Sequence, residues 1–147
     1  GSVYLNVSGA VNLSGATITA TGGDGYDNAN DSGGGGGGRV AIIHNGYTAP
    51  TTLSAFGGAG PGAATTGGTG SVFIKGASDN GALTYDNNNS ANNSTSILTT
   101  GTNVTISTFT LSNAANVVLP DTAITSVTGT TTINSGTTLT INYPAAS

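Results

Sequence analysis

Gly70-Ser-Val-Phe-Ile-Lys75 repeats Gly1-Ser-Val-Tyr-Leu-Asn6 with conservative changes, and Gly38-Arg-Val-Ala-Ile-Ile43 falls in the same frame. A second pair of stretches precedes the later two copies: Ala16-Thr-Ile-Thr-Ala-Thr-Gly-Gly-Asp-Gly25 and Thr51-Thr-Leu-Ser-Ala-Phe-Gly-Gly-Ala-Gly60. One unit therefore reads strand, Gly-Gly-x-Gly, a Gly-rich stretch of variable length, Gly, strand. The frame starts at Gly1, Gly38 and Gly70, so its second step is a little shorter than its first. The stretches 26–37 and 61–69 absorb most of the difference. An internal repeat at this spacing is the signature of supersecondary units that stack on one another.

Within the frame, apolar residues alternate with polar ones, as side chains do on a half-buried strand. Val3 and Leu5, Val40 and Ile42, and Val72 and Ile74 are expected on one inward face. Ala16, Ile18 and Ala20 are expected to face one way, and Thr17, Thr19 and Thr21 the other. The Gly-Gly-x-Gly that follows permits positive φ and a sharp corner.

Working outward, residues 79–100 change character. Asp86-Asn-Asn-Asn-Ser-Ala-Asn-Asn-Ser94 is low in complexity and reads as loop or linker. Residues 101–143 are Thr-rich, with short apolar beats at Val104/Ile106, Phe109/Leu111, Val117/Leu119, Ile124, Ile133 and Leu139/Ile141. Ser135-Gly-Thr-Thr-Leu-Thr140 echoes Ser14-Gly-Ala-Thr-Ile-Thr19. The expected organisation is a Gly-rich repeat part at 1–79, an Asn/Ser-rich loop or linker at 80–100, and a Thr-rich short-strand part at 101–147.

Composition agrees with an all-β chain. Gly, Thr, Asn and Ser exceed half of the 147 residues, and neither Glu, Gln nor Met occurs. Good helix formers are nearly missing, while Thr suits strands and Gly and Asn suit turns. Regular short strands build a β-solenoid, a barrel or a sandwich. The repeats favour the β-solenoid, with a β-sandwich as the alternative.

Charge excludes several functions. The net charge is −4 and the only cations are Arg39 and Lys75. Nucleic acid is not an expected partner, because a phosphate backbone calls for clustered Lys and Arg. Anionic membrane surfaces are disfavoured for the same reason, and no apolar run reaches a membrane span. With no initiator Met and no signal peptide, the chain reads as a mature or excised piece. It has no Cys, no Met and two tryptic sites, which suits a secreted, extracellular or cell-surface setting.

Glycine-rich repeats of large secreted bacterial surface proteins are similar to the pattern Gly-Gly-x-Gly, Gly-rich stretch, Gly-[Arg/Ser]-Val-x-Ile over roughly residues 1–76. The tail at 101–143 resembles the strand repeats of filamentous-haemagglutinin-like and autotransporter passenger β-helices. This resemblance implies a right-handed parallel β-helix on a cell surface or in a fibre. The great length usual in such proteins is missing here.

Few residues carry chemistry. His44 is the only histidine, no Gly-x-Ser-x-Gly occurs, and no Cys is present to complete a zinc site. An enzyme is not expected. Gly33-x-Gly35-x-x-Gly38 matches a dinucleotide fingerprint trivially, since a strand follows it where a helix is required. Asp24, Asp27 and Asp31 lie within eight residues and are weak calcium candidates; no other cofactor is indicated. Asn-x-Ser/Thr sequons stand at Asn6, Asn12, Asn30, Asn88, Asn92, Asn93 and Asn103, as expected by chance in this composition. Thr-x-Thr units at 17–21, 108–110, 130–132 and 138–140 resemble the ice-binding faces of antifreeze β-solenoids, though their spacing is irregular. Tyr4, Tyr26, Tyr47 and Phe56 would form a sugar-stacking patch if they converged.

The leading functional expectation is a structural protomer of an extracellular filament or surface matrix, with copies of itself as partners. Open strand edges with few charged gatekeepers template pairing. Gly1, Ser2, Val3, Tyr4, Leu5, Asn6 and Val7 are expected as one assembly edge, and the strands of 131–142, with Leu139 and Ile141, as the other. The alternative is an adhesin-type module for cell-surface glycans, other surfaces or ice.

Overall fold

The structure is a computed structural model that describes residues 1–27, 31–90, 94–97, 104–120 and 126–142. Every regular element among them is a strand. In the first half these are β1 (Ser2–Asn6), β2 (Val11–Asn12), β3 (Thr17–Thr19), β4 (Arg39–Ile43), β5 (Tyr47–Thr48), β6 (Thr52–Ser54) and β7 (Ser71–Lys75). β1, β4 and β7 pair in parallel, with Val3 beside Val40 beside Val72 and Leu5 beside Ile42 beside Ile74. β2 pairs with β5, and β3 with β6, also in parallel. The chain thus returns to the same places with the steps of the sequence repeat. Val3, Leu5, Ile18, Val40, Ile42, Leu53 and Val72 meet in one core with Ala20 and Ala55.

The second half carries β8 (Ala82–Asp86), β9 (Ser96–Ile97), β10 (Thr105–Ile106), β11 (Thr108–Ser112), β12 (Asn116–Pro120), β13 (Ser126–Val127), β14 (Thr131–Ile133) and β15 (Thr138–Asn142). β8, β11 and β14 pair in parallel, aligning Leu83, Phe109 and Thr131 in one column and Tyr85, Leu111 and Ile133 in the next. β9, β12 and β15 form a second parallel sheet, and β10 pairs with β13. Phe109 and Leu111 are 2% and 0% exposed. They lead a core with Tyr85, Ile106, Ala115 and Val117, in which the Tyr85 and Phe109 rings meet edge-on at 6.2 Å. Burying side chains of this size stabilises by about 1.5–3 kcal/mol each.

Corners are set by turn chemistry. Ala16 N–H donates to the Leu13 carbonyl across Ser14-Gly15, and Thr137 N–H to the Asn134 carbonyl across Ser135-Gly136. Gly15 and Gly136 adopt φ of 77° and 78°, the third-position geometry of a type II turn. The sequence echo between these two stretches is therefore an echo of one turn. After β8 and β11 the corners use left-handed Asn88, Asn89, Asn113 and Ala114. Asp86 ties the two together. Its carboxylate accepts from Asn88 N–H at 2.8 Å, Ser112 Oγ at 2.9 Å and Asn113 Nδ2 at 2.6 Å.

The two halves join in one six-stranded sheet of order β1-β4-β7-β8-β11-β14. The β7–β8 joint is antiparallel, whereas the other nine strand pairings among the described residues are parallel. A sandwich of antiparallel sheets would show the reverse balance. The register at the joint sets Val72 against Thr84, Phe73 against Leu83 and Ile74 against Ala82. Residues paired across a ladder share a face. Val72 thus faces the first core while its neighbour Phe73 packs on the second. The two cores occupy opposite faces of the same sheet.

This joint corrects the expectation of loop or linker over 80–100, because Ala82–Asp86 is a strand with Leu83 and Tyr85 buried. Asp79 makes the turn by accepting from Gly76 N–H at 3.2 Å and Gly81 N–H at 2.7 Å, with Gly81 at φ 89°. Ile124 and Asp121 lie outside the described residues.

Candidate functional site

The Gly-rich stretches are not corners. Four extended segments, around 20–25, 33–38, 55–60 and 65–70, run side by side and bond to one another in more than one direction. Gly34 and Gly37 N–H donate to the Thr65 and Gly68 carbonyls at 3.0 and 2.9 Å. Gly35 and Gly38 N–H donate the other way, to Gly23 and Ala20 at 2.9 and 2.6 Å. Gly22 and Gly25 N–H reach Phe56 and Ala59, and Gly67 and Gly70 N–H reach Gly58 and Ala55. Donors toward one neighbour recur every third residue, the period of a polyproline-II strand. None of these glycines has positive φ, so the positive φ and sharp corner that the sequence permits are not used here. They are glycine because backbones touch: a Cβ on Gly34 would land on the Gly58 carbonyl, and one on Gly67 on the Gly35 carbonyl.

The lattice is sealed on one side by Asn87, which is fully buried. Its Oδ1 accepts from Gly57 N–H at 3.0 Å and its Nδ2 donates to the Gly67 carbonyl at 3.4 Å. One carboxamide thus does what the peptide group of a further strand would do. Thr69 Oγ1 donates to the Asp86 carbonyl at 2.7 Å, and Ser96 Oγ donates to the Thr69 carbonyl.

Two clefts flank this region. A groove of about 450 Å³ runs beside the lattice, bordered by Gly36, Gly68, Arg39, Ser96 and Tyr85 among others. Tyr85 is 3% exposed. Burial pushes its phenol well above the ordinary range, partly offset by the Arg39 guanidinium. A second cleft of about 360 Å³ lies over Leu53, Ala55, Phe56, Val72 and Ile74, the uncovered end of the first core.

The residues singled out in the sequence fare differently. Asp24 Oδ1 accepts from Ala59 N–H at 2.8 Å and so belongs to the lattice. Asp24, Asp27 and Asp31 are exposed. No three carboxylate or imidazole groups converge as metal ligands among the described residues, so the three are not brought together into a calcium site. His44 follows β4 and stacks on Tyr47 at 5.0 Å, with a buried Nδ1 that has no partner among the described residues. The four aromatics do not form one patch. Tyr4 and Tyr26 are exposed, Tyr47 packs on the first core and Phe56 lines the second cleft. Thr84, Thr110 and Thr132 align across three neighbouring strands, a short Thr row rather than an extended array. The sequons at Asn30, Asn92, Asn93 and Asn103 lie outside the described residues.

Both expected assembly stretches lie at sheet edges. β1 ends the six-stranded sheet on one side and β14 on the other, while β15 ends the three-stranded sheet. Core-facing positions there are uncovered. Ile133 is 50% exposed where its column neighbour Leu111 is fully buried, and Ile141 is 50% exposed. Leu139 is half-buried beside the fully buried Val117, and Val3 and Leu5 are half-buried beside the buried Val40 and Ile42. Sequence reasoning missed Asn87 and the glycine lattice. The only signal for the lattice is the glycine run itself.

No helix of the structure is long and apolar enough to cross a membrane among the described residues. Comparison of the chain with protein-family models, curated proteins and solved structures finds no match.

Proposed function

We propose that the chain is a non-enzymatic structural segment, a β-solenoid-like stack on a cell surface or in an extracellular matrix, that lengthens by pairing its edge strands with copies of itself. The observation that carries this reading is the contrast along single columns. A core position that is sealed in the interior, such as Leu111, is half open at the edge, as at Ile133. Uncovered apolar columns next to unpaired strand edges favour addition of another strand. Gly1 to Val7 form one docking edge, and β14 with β15, including Leu139 and Ile141, form the other.

Negative-stain electron microscopy of the purified chain, with and without calcium, tests this reading. Filaments or ordered stacks are expected in both conditions. Monodisperse particles at high protein concentration would overturn it and favour the adhesin reading, to be followed by glycan and ice-recrystallisation assays.

A further inference from the structure

Asn-Gly occurs twice in the chain, at Asn45-Gly46 and at Asn80-Gly81. The dipeptide is chemically reactive. A glycine nitrogen attacks the preceding asparagine side-chain carbonyl carbon with little hindrance, because no Cβ crowds the approach. Ring closure asks that the glycine N–H be released from any hydrogen bond. It also asks that the carboxamide be mobile and the main chain free to rotate. Like dipeptides in one chain are therefore separated chiefly by the structure around them.

The fold clamps one of them and leaves the other open. Asn80-Gly81 lies in the β7–β8 turn, where Gly81 N–H donates to Asp79 Oδ1 at 2.7 Å and Asn80 N–H to Ser107 Oγ at 2.9 Å. The buried Gly81 also accepts from Ser107 N–H at 2.7 Å. The Asp79 carboxylate opposes the negative charge that the Gly81 nitrogen must develop to attack, since a like charge disfavours the ionised form. Asn45-Gly46 lies in the corner between β4 and β5. Asn45 N–H donates to the Gly9 carbonyl at 3.0 Å, and the Gly46 carbonyl accepts from Val11 N–H at 2.9 Å. The Gly46 N–H and the exposed Asn45 carboxamide make no hydrogen bond among the described residues. Close packing sets glycine at position 46, because a Cβ there would lie 3.1 Å from the Ala10 Cβ.

We propose that Asn45 is a self-modification site, which deamidates in the folded protein while Asn80 is protected. The Gly46 nitrogen forms a bond to Asn45 Cγ as the Cγ–Nδ2 bond breaks. The proton lost by Gly46 N–H passes through water to the leaving nitrogen, which departs as ammonia. Water then opens the cyclic imide at either carbonyl, giving aspartate or isoaspartate. Each event replaces a neutral side chain by a carboxylate and takes the net charge of −4 one unit further negative. Isoaspartate also adds a methylene to the main chain. That insertion falls between the bonds to Gly9 and from Val11, so it loosens the pairing of β2 with β5. The reaction needs water and no second copy of the chain, and so stands apart from self-assembly.

The test is mass spectrometry of tryptic peptides after incubation of the protein in mildly alkaline buffer. Cleavage after Arg39 and Lys75 yields a peptide of residues 40–75 in which Asn45 is the only asparagine. In folded protein this peptide should gain the amide-to-acid mass increment roughly tenfold faster than Asn80 does, because the Asn80 turn must open before it reacts. In guanidinium the two sites should react at similar rates. Asn45→Gln should abolish the gain in peptide 40–75, and Asp79→Ala should speed the reaction at Asn80. In aged protein the Val11 and Leu13 amides, which bond to Gly46 and Thr48, should exchange roughly tenfold faster than in fresh protein. Asn45→Asp carries the charge without the added methylene and should keep most of that protection. Three results would each overturn the proposal. One is equal rates at Asn45 and Asn80 in the folded protein. Another is no reaction at Asn45 in folded protein when the unfolded chain has reacted there. The third is unchanged exchange at Val11 and Leu13 after Asn45 has converted to isoaspartate.

Discussion

The Gly-rich half and the Thr-rich half obey the same rule of return but fill their turns with different material. From β11 to β14 and from β12 to β15 the chain returns by a short path, as Phe109 pairs with Thr131 and Val117 with Leu139. Its interior there is large side chains. In the first half the return is longer, from Val3 to Val40 and from Val40 to Val72. The extra length is laid down as a backbone lattice of glycine strands. Side-chain packing and peptide hydrogen bonding are two ways of excluding water from a stack. The first tolerates a range of apolar residues; the second tolerates no Cβ at its contacts. The Asn87 carboxamide joins them, being placed by the second half to complete the lattice of the first.

The contrast breaks most sharply in the second core. Phe109→Ala is expected to destabilise by about 4 kcal/mol, read as the shift in a urea or guanidinium midpoint. Ile133→Ala, in the next column but at the uncovered edge, should cost well under half of that.

In the lattice the size of the side chain should matter less than its position. Gly34→Ala drives a methyl into the Gly58 carbonyl and is expected to cost about 3 kcal/mol. Gly36→Ala, two residues along, should stay within about 0.5 kcal/mol of wild type. Equal losses at both positions would show that the three-residue period is not what selects glycine.

A smaller effect tests the link between the halves. Asn87→Leu leaves Gly57 N–H and the Gly67 carbonyl without partners and should cost about 2 kcal/mol. Its hydrogen-exchange signature should fall on residues 55–70 rather than on the Phe109 core.

The weakest expected effect is one of pH. Burial raises the Tyr85 phenol, the largest such shift, and also raises that of Tyr47. A phenol held protonated when folded, but free to ionise near pH 10 when unfolded, contributes stability that is full below pH 10 and declines above it. Thermal midpoints should therefore fall above about pH 10, and Tyr85→Phe should fall less steeply.

Much of the parallel register was legible in the sequence, because Val3, Val40 and Val72 sit in one motif and side chains on a strand alternate. The antiparallel joint was not read, although Asn80-Gly81 is a hairpin signal and Ala82-Leu-Thr-Tyr-Asp86 alternates; the Asn run beside it masked both. The lattice was opaque for a physical reason. Its period lies in backbone hydrogen bonds, and a glycine chosen for close approach is spelled the same as one chosen for positive φ. Asn87 looks like any other residue of its Asn run, and only the neighbouring glycines reveal that it is buried.

Amide hydrogen exchange measured at low and at high protein concentration tests the account of assembly most directly. If the uncovered columns are docking edges, the amides of β1, β14 and β15 exchange quickly in dilute solution and gain at least tenfold protection when concentrated, while those of β4 and β11 stay protected throughout. Edge amides that exchange at the same fast rate at both concentrations would contradict it.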